Sequence, residues 1–286
     1  MRRLVDLVLA LVVLLAGLSA WWTYTSDEVR AYRVVLTEIE GDVEIVAQGR
    51  TLPASAGAEL TASDRIRTGA HARAVLVIGQ HSQVRLGPAS SVEVRAVDDD
   101  GVRLELEGGA LQATVRPSGG AVRIGHRGRE VVATHADFSV GARDGVIQVD
   151  AHRGEVALTG VDQGRLVAGE QATLVGAHAE IGPIPEGVLL QVEWPEAATT
   201  RADRARVAGT TSPGALVRLV SPTGAAVEVR ARGDGRFVAD VPLVEGVNEV
   251  RVEAVDLLGR QADAPGRLPD RDTIGPSFRG GVRYGE

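Results

Sequence analysis

The chain has no cysteine and no lysine. The first absence removes disulfides, thiolate metal sites, thiol nucleophiles and a lipid-bearing cysteine. The second removes Schiff-base lysines and the phosphate-binding lysine of a P-loop, since every one of the 31 basic residues is arginine. Aromatic residues are scarce too, at 3% of a chain that is 44% hydrophobic. Its cores must therefore be built from Val, Leu, Ile and Ala, a composition that suits many thin β-branched strands better than one large aromatic pocket. A surplus of positive charge is also missing. The net charge of -7 speaks against nucleic acid as a partner, because phosphate binding needs clustered cations.

What the chain does have begins with an apolar run. Met1-Arg2-Arg3 precedes a stretch from Leu4 to Trp22 that is interrupted only by Asp6. As a helix this run would span roughly 28 Å at about 1.5 Å per residue, close to the hydrocarbon thickness of a bilayer. Trp21, Trp22 and Tyr24 fall where an aromatic belt would meet the far interface, and Arg2 and Arg3 mark the cytoplasmic end. The reading is a cytoplasmic stub (1–3), a transmembrane signal anchor (4–24) and a linker (25–36), with the rest of the chain outside the inner membrane, in the periplasm. A signal peptide cleaved near Gly17-Leu18-Ser19-Ala20 is the rival, although the bulky pair Trp21-Trp22 makes a poor mature start.

From Leu36 the hydrophobic period becomes two. Val102-Arg103-Leu104-Glu105-Leu106-Glu107 alternates apolar and charged residues, as do Val92-Glu93-Val94-Arg95 and Leu111-Gln112-Ala113-Thr114-Val115. Each predicts a strand with one wet face. Val146-Ile147-Gln148-Val149 adds another, whereas Ala74-Val75-Leu76-Val77-Ile78 is apolar throughout and predicts burial on both faces. Gly87-Pro88, Asp100-Gly101 and Asp144-Gly145 punctuate the series as turns. The echo between Gly41-Asp42-Val43 and Gly154-Glu155-Val156 predicts coils stacked as a short β-solenoid or roll, with a conventional sandwich as the alternative.

The ordered pieces Gly41-Asp42-Val43-Glu44-Ile45, Asp64-Arg65-Ile66-Arg67-Thr68-Gly69, Ala74 to Ile78, Gly108-Gly109-Ala110-Leu111, Gly154-Glu155-Val156-Ala157-Leu158 and Leu166-Val167-Ala168-Gly169-Glu170 resemble the FecR-type domain, over 37–181. The resemblance implies a periplasmic module that relays or scaffolds through protein contacts without catalysis. Signalling members carry a cytoplasmic anti-sigma domain before the membrane helix. Here the expectation is that three residues in that place bind no sigma factor.

Gly182-Pro183-Ile184-Pro185-Glu186-Gly187 reads as a hinge (182–190). Beyond it, Gly235-Arg236-Phe237, Gly246-Val247-Asn248 and the closing Asp272-Thr273-Ile274-Gly275-Pro276 resemble bacterial immunoglobulin-like domains, over 191–276. The resemblance implies a sandwich of about seven strands, acting as a spacer or binding platform. Asp234-Gly235 is read as a hairpin turn between Val227-Glu228-Val229 and Arg236-Phe237. The glycine-rich tail, 277–286, is expected to be flexible, with Phe278 and Tyr284 as the residues that could anchor a partner contact.

The search for chemistry returns no catalytic, cofactor-binding or metal-ligating residue. The six histidines are His71, His81, His126, His135, His152 and His178, and no ligand spacing links them. His135 and Asp137 could share a strand face, but an exposed polar pair is the plainer reading. Asp98-Asp99-Asp100-Gly101 lacks the remainder of a calcium loop, and Asp270 and Asp272 are read in the same way, as solvated turns. Ser139, His135 and Asp144 have no nucleophile elbow around them. The fold expected is all-β: a FecR-type β-solenoid or roll, then an immunoglobulin-like β-sandwich, behind one transmembrane helix. The expected function is a non-enzymatic, membrane-anchored envelope protein that needs no cofactor and serves as a binding or scaffolding module. Its partner would be an envelope or membrane protein, or cell-wall glycan, and not nucleic acid. The alternatives are a sensor subunit that signals through a partner membrane protein, with Asp6 as the polar mark for helix pairing, and an exterior carbohydrate-active enzyme.

Overall fold

The computed structural model describes residues 32–273, apart from 118, 119, 163, 222, 223 and 225. The apolar run with Asp6, and the tail with Phe278 and Tyr284, lie outside the described residues. Among those described, no helix is long and apolar enough to cross a membrane. The described residues are all-β.

Among the described residues twenty-four strands follow one another. They are β1 (Val34–Glu40), β2 (Val43–Ala47), β3 (Arg50–Pro53), β4 (Glu59–Leu60), β5 (Arg65–Thr68), β6 (Arg73–Ile78), β7 (Ser82–Leu86) and β8 (Ser91–Asp98). Next come β9 (Gly101–Val115), β10 (Ala121–His126), β11 (Arg129–Ala133), β12 (Ala136–Arg143), β13 (Val146–Thr159), β14 (Arg165–Val167), β15 (Glu170–Val175) and β16 (His178–Pro183). These sixteen strands form the first lobe. The second contains β17 (Leu190–Glu193), β18 (Thr199–Thr200), β19 (Arg204–Thr211), β20 (Leu216–Val220), β21 (Ala226–Arg230), β22 (Arg236–Pro242), β23 (Gly246–Val255) and β24 (Gln261–Arg271).

In the first lobe the chain swings repeatedly between two faces of one core. Strands β4, β1, β6, β7, the second half of β9, β12, the first half of β13, β15 and β16 lie side by side as one face. Strands β3, β2, β5, β8, the first half of β9, β10, β11, the second half of β13 and β14 form the other. The long strands β9 and β13 thus belong to both faces. Pairing is antiparallel throughout the lobe except between β9 and β10, which departs from the parallel stacking of a solenoid. The echo seen in the sequence marks one recurring event, since Gly41 and Gly154 both sit where the chain crosses from the first face to the second.

Each core is built around one phenylalanine. Phe138 and Phe237 are the largest fully buried side chains, one in each lobe, among Val, Leu, Ile and Ala. The alternating pattern of β9 is reproduced in its burial, and β6 is buried along most of its length. Strand β8 differs from expectation. Glu93 is buried because Arg65 and Arg95 reach its two carboxylate oxygens at 2.8 and 2.7 Å, so the charge is taken out of water in the company of cations. Arg65 also reaches Glu107 at 2.7 Å.

The second lobe consists of a three-stranded sheet, β17-β19-β22, and a five-stranded sheet, β18-β24-β23-β20-β21, around the core that holds Phe237. Asp234-Gly235 does not close a hairpin here. Strand β21 pairs with β20 and β22 pairs with β19, so the turn carries the chain from one sheet to the other. A local turn signature specifies a change of direction, while the partner of each strand is set by the core it must cover.

Candidate functional site

The outward face of the first lobe carries a row of polar residues that runs between Val75 at one end and Gly182 at the other. Reading across neighbouring strands, Val75 stands opposite Arg85, Arg85 opposite Gln112, Gln112 opposite Ser139, Ser139 opposite Asp150, Asp150 opposite Gln171 and Gln171 opposite Gly182. Period-two alternation puts all of them on the same side, away from Phe138 and its neighbours. Arg85 and Gln112 are exposed, but Asp150 is only 4% exposed, because the second lobe covers that end of the row.

The cover is a turn of the second lobe. The Leu257 backbone lies so close over β12 that a Cβ on Gly141 would meet the Leu257 carbonyl, which is why the strand carries glycine there. Behind the turn, Arg260 is held in a fork of two acids. Its Nε donates to Asp256 Oδ2 (2.7 Å) and its Nη1 to Asp150 Oδ2 (3.1 Å). Asp256 also accepts from the Leu258 and Arg260 backbone amides and, through Oδ2, from Gln148 Nε2 (3.2 Å). Gln171 Nε2 donates to Asp150 Oδ1. Asp150 and Asp256 are thus ionic residues taken out of water, each compensated by the same guanidinium and by neutral donors.

Two recesses flank this lock. One, of about 360 Å³, includes Arg143, Gly214, Arg230 and Leu257. There burial and the neighbouring Arg143 lower the Arg230 pKa, and Asp144 stands 4.0 Å away as a partial counter-charge. The other is a cleft of about 410 Å³, floored by Gln148, Gln171, Thr173 and Glu180 and walled by Pro185, Leu189, Thr211, Pro213 and Asp234. A further hollow, of about 650 Å³, is on the second lobe between Val220, Arg251 and Arg267.

The residues singled out in the sequence fall elsewhere. His135 precedes β12 and is exposed, so it does not share a strand face with Asp137, whose carboxylate lies between Arg116 and Arg153, each at 3.5 Å. Ser139 Oγ lies 2.9 Å from His152 Nε2 rather than near His135, and Asp144 sits in the hairpin turn between β12 and β13. Asp98 Oδ1 accepts from the Asp100 amide across its turn, and Asp270 pairs with Arg267 at 2.8 Å. His178 pairs with Asp162 at 2.9 Å. No group of three potential metal ligands forms among the described residues. Gln148, Asp150, Asp256 and Arg260 were not singled out. The available signal was Asp150 at an outward strand position, but its burial depends on a lobe 110 residues further along the chain.

Against known proteins, residues 64–157 match the family model described as FecR protein. The matched stretch runs from the start of β5 into the second half of β13 and takes in all of β9, one of the two strands shared by both faces. Two crystal structures of a candidate anti-sigma factor from Parabacteroides distasonis each align at 19% identity and a TM-score of 0.37, over 47% of this chain and 68% of theirs. A polysaccharide lyase aligns at 13% identity and a TM-score of 0.22, over 86% of this chain and 41% of its own. No curated protein matches the chain.

Proposed function

We propose that the chain is a non-enzymatic, membrane-anchored envelope protein whose FecR-type lobe and immunoglobulin-like lobe act together as an extracytoplasmic binding and scaffolding module. The observation that carries this reading is the lock between Asp150 and Arg260, buried at the junction of the lobes. A flexible spacer needs no such contact; a module that presents one composite surface does. The polar row supports the reading, because it runs from open sheet at Arg85 and Gln112 into the junction and offers side chains from both lobes to one partner. The partner fitting this reading is an envelope or membrane protein, with cell-wall glycan as the other class.

The test is in-cell photo-crosslinking from Arg85 and Gln112, followed by mass spectrometry. Amine-reactive reagents are unsuited, because the chain has no lysine. Capture of a defined envelope component supports the module. Recovery of uncrosslinked protein alone from both positions counts against it.

The FecR match favours a second reading, a sensor subunit that relays an envelope signal through a partner membrane protein. In that case Asp6→Leu in the apolar run abolishes recovery of the partner, whereas a plain anchor tolerates the change.

A further inference from the structure

We propose that β22 is a self-pairing edge, through which two copies of the chain join antiparallel with Val238 of one facing Val238 of the other. The inference concerns a second copy and does not depend on the envelope partner proposed above. Among the described residues β22 ends its three-stranded sheet, with β19 on one side and no strand on the other. The preceding strand, β21, pairs with β20 in the opposite sheet. The register decides which main-chain groups face the open side. The Thr211 amide donates to the Gly235 carbonyl and the Leu243 amide to the Asp203 carbonyl, at 2.8 Å each. Antiparallel ladders alternate, so Phe237, Ala239 and Val241 turn their amides and carbonyls to β19, while Arg236, Val238 and Asp240 turn theirs outward. The open stretch is bounded at both ends. Pro242 has no N–H to offer, and the Arg236 amide and carbonyl already meet Asp234 Oδ1 at 3.0 Å and the Arg232 amide at 2.9 Å. The Asp240 carbonyl meets only the Arg204 guanidinium, at 3.5 Å. What is left to pair is centred on Val238.

The side chains select a second copy as the occupant. Phe237 and Ala239 point into the core, whereas Val238 is 40% exposed between exposed Arg236 and Asp240. Neither of these charges is in an ion pair among the described residues. A two-fold centred on Val238 sets valine on valine and, on both sides of it, Arg236 of one copy against Asp240 of the other. Opposite charges directly across a strand pair attract, and like charges repel. Other registers lose this match. Centring on Phe237 brings Asp240 against Asp234, and centring on Ala239 leaves Arg236 facing Pro242. The edge of β21 shows the contrary arrangement. There the Ala231 amide donates to the Ala215 carbonyl at 2.9 Å, so Ala226, Glu228 and Arg230 face outward by the same rule. Antiparallel pairing about the centre of β21 would oppose Glu228 to Glu228, the kind of charge that protects an open edge. The β22 edge carries charges of opposite sign placed symmetrically about an apolar residue, which invites its own copy. The shared edge is short, which places the contact among the weak, reversible ones and calls for a test that traps it.

The chain has no cysteine, so one introduced thiol reports on one position. The experiment uses the full chain in membrane vesicles, oxidised with copper phenanthroline and read on a non-reducing gel. Val238→Cys should give a disulfide-linked dimer, because facing Cα atoms of a hydrogen-bonded antiparallel pair lie about 5.5 Å apart, within disulfide range. Val247→Cys, on another strand and 55% exposed, measures random collision and should link severalfold more slowly. Arg236→Cys and Asp240→Cys should each link poorly alone and should link to one another when co-expressed, which reports the register. With Val238→Cys in place, Arg236→Asp or Asp240→Arg should cut the dimer by about fivefold, and the two reversals together should restore it. These side chains lie outside the core, so the lobe keeps its fold in each variant. The proposal is overturned if Val238→Cys links no faster than Val247→Cys. It is equally overturned if Arg236→Cys links to itself as readily as to Asp240→Cys, or if the double reversal fails to restore the dimer.

Discussion

Arg260 Nη1 lies 3.1 Å from Asp150 Oδ2, an ion pair that joins the first lobe to the second. Because Asp256 also depends on this guanidinium, one side chain neutralises two buried acids.

Arg260→Ala should therefore destabilise the protein by about 2–4 kcal/mol, less than the loss of a fully buried partner because 21% of the Arg260 side chain stays in solvent. Calorimetry should resolve two transitions in the variant and a single coupled one in the parent. Adding Asp150→Asn should recover part of the loss, since an uncompensated charge is removed. Strict additivity of the two changes would show that the pair does not couple.

A second prediction concerns pH. His126 is 2% exposed; its Nδ1 lies 2.7 Å from the Leu106 carbonyl oxygen and its Nε2 has no partner. Burial holds its pKa below the usual imidazole value of 6.5, with Arg129 and Arg127 adding to the effect. The unfolded chain then takes up the proton first. Stability is full above about pH 6.5 and falls as the pH drops toward the depressed folded value, by at most about 1.4 kcal/mol per pH unit. His126→Gln should flatten that limb of the stability curve as followed by chemical denaturation; an unchanged limb would place the acid sensitivity elsewhere.

Gly109 is the corner at which β9 passes from one face of the lobe to the other. Its φ is +96°, and a Cβ there would overlap Ser90. Gly109→Ala should cost about 2–4 kcal/mol from backbone strain and crowding together, measured as a fall in the denaturation midpoint. Ser90 Oγ accepts from the Ala110 amide at 3.0 Å, so that contact should be lost with the corner.

Thr211→Val should act in the opposite direction. It replaces a buried hydroxyl that has no partner by a methyl group, which should raise stability by about 1 kcal/mol in chemical denaturation.

Much of the architecture was legible in the chain because its causes are local. Period two in β9, the apolar run of β6 and the turn at Asp144-Gly145 each follow from residues within a strand length of one another. The Gly41 and Gly154 echo located two crossings between faces without showing how the strands pair. Three things were not legible. Glu93 reads as a wet position until Arg65, 28 residues earlier, is placed beside it. Asp234-Gly235 reads as a hairpin until the cores separate β21 from β22. Gln148 and Asp150 read as solvent-facing until a second lobe is laid over them, and that depends on the position of Arg260 in three dimensions.

The sharing of β9 and β13 between the two faces of the first lobe has a mechanical consequence. Sheets that touch only through side chains can be pried apart by sliding or swelling, with their main-chain ladders intact. Here the same two strands are stitched through both, so separation tears hydrogen-bonded backbone at two seams. A pull or twist arriving at β1 should therefore travel along the paired strands toward Asp150 rather than part the two faces. The lobe is a strut, and what one end feels, the other end meets.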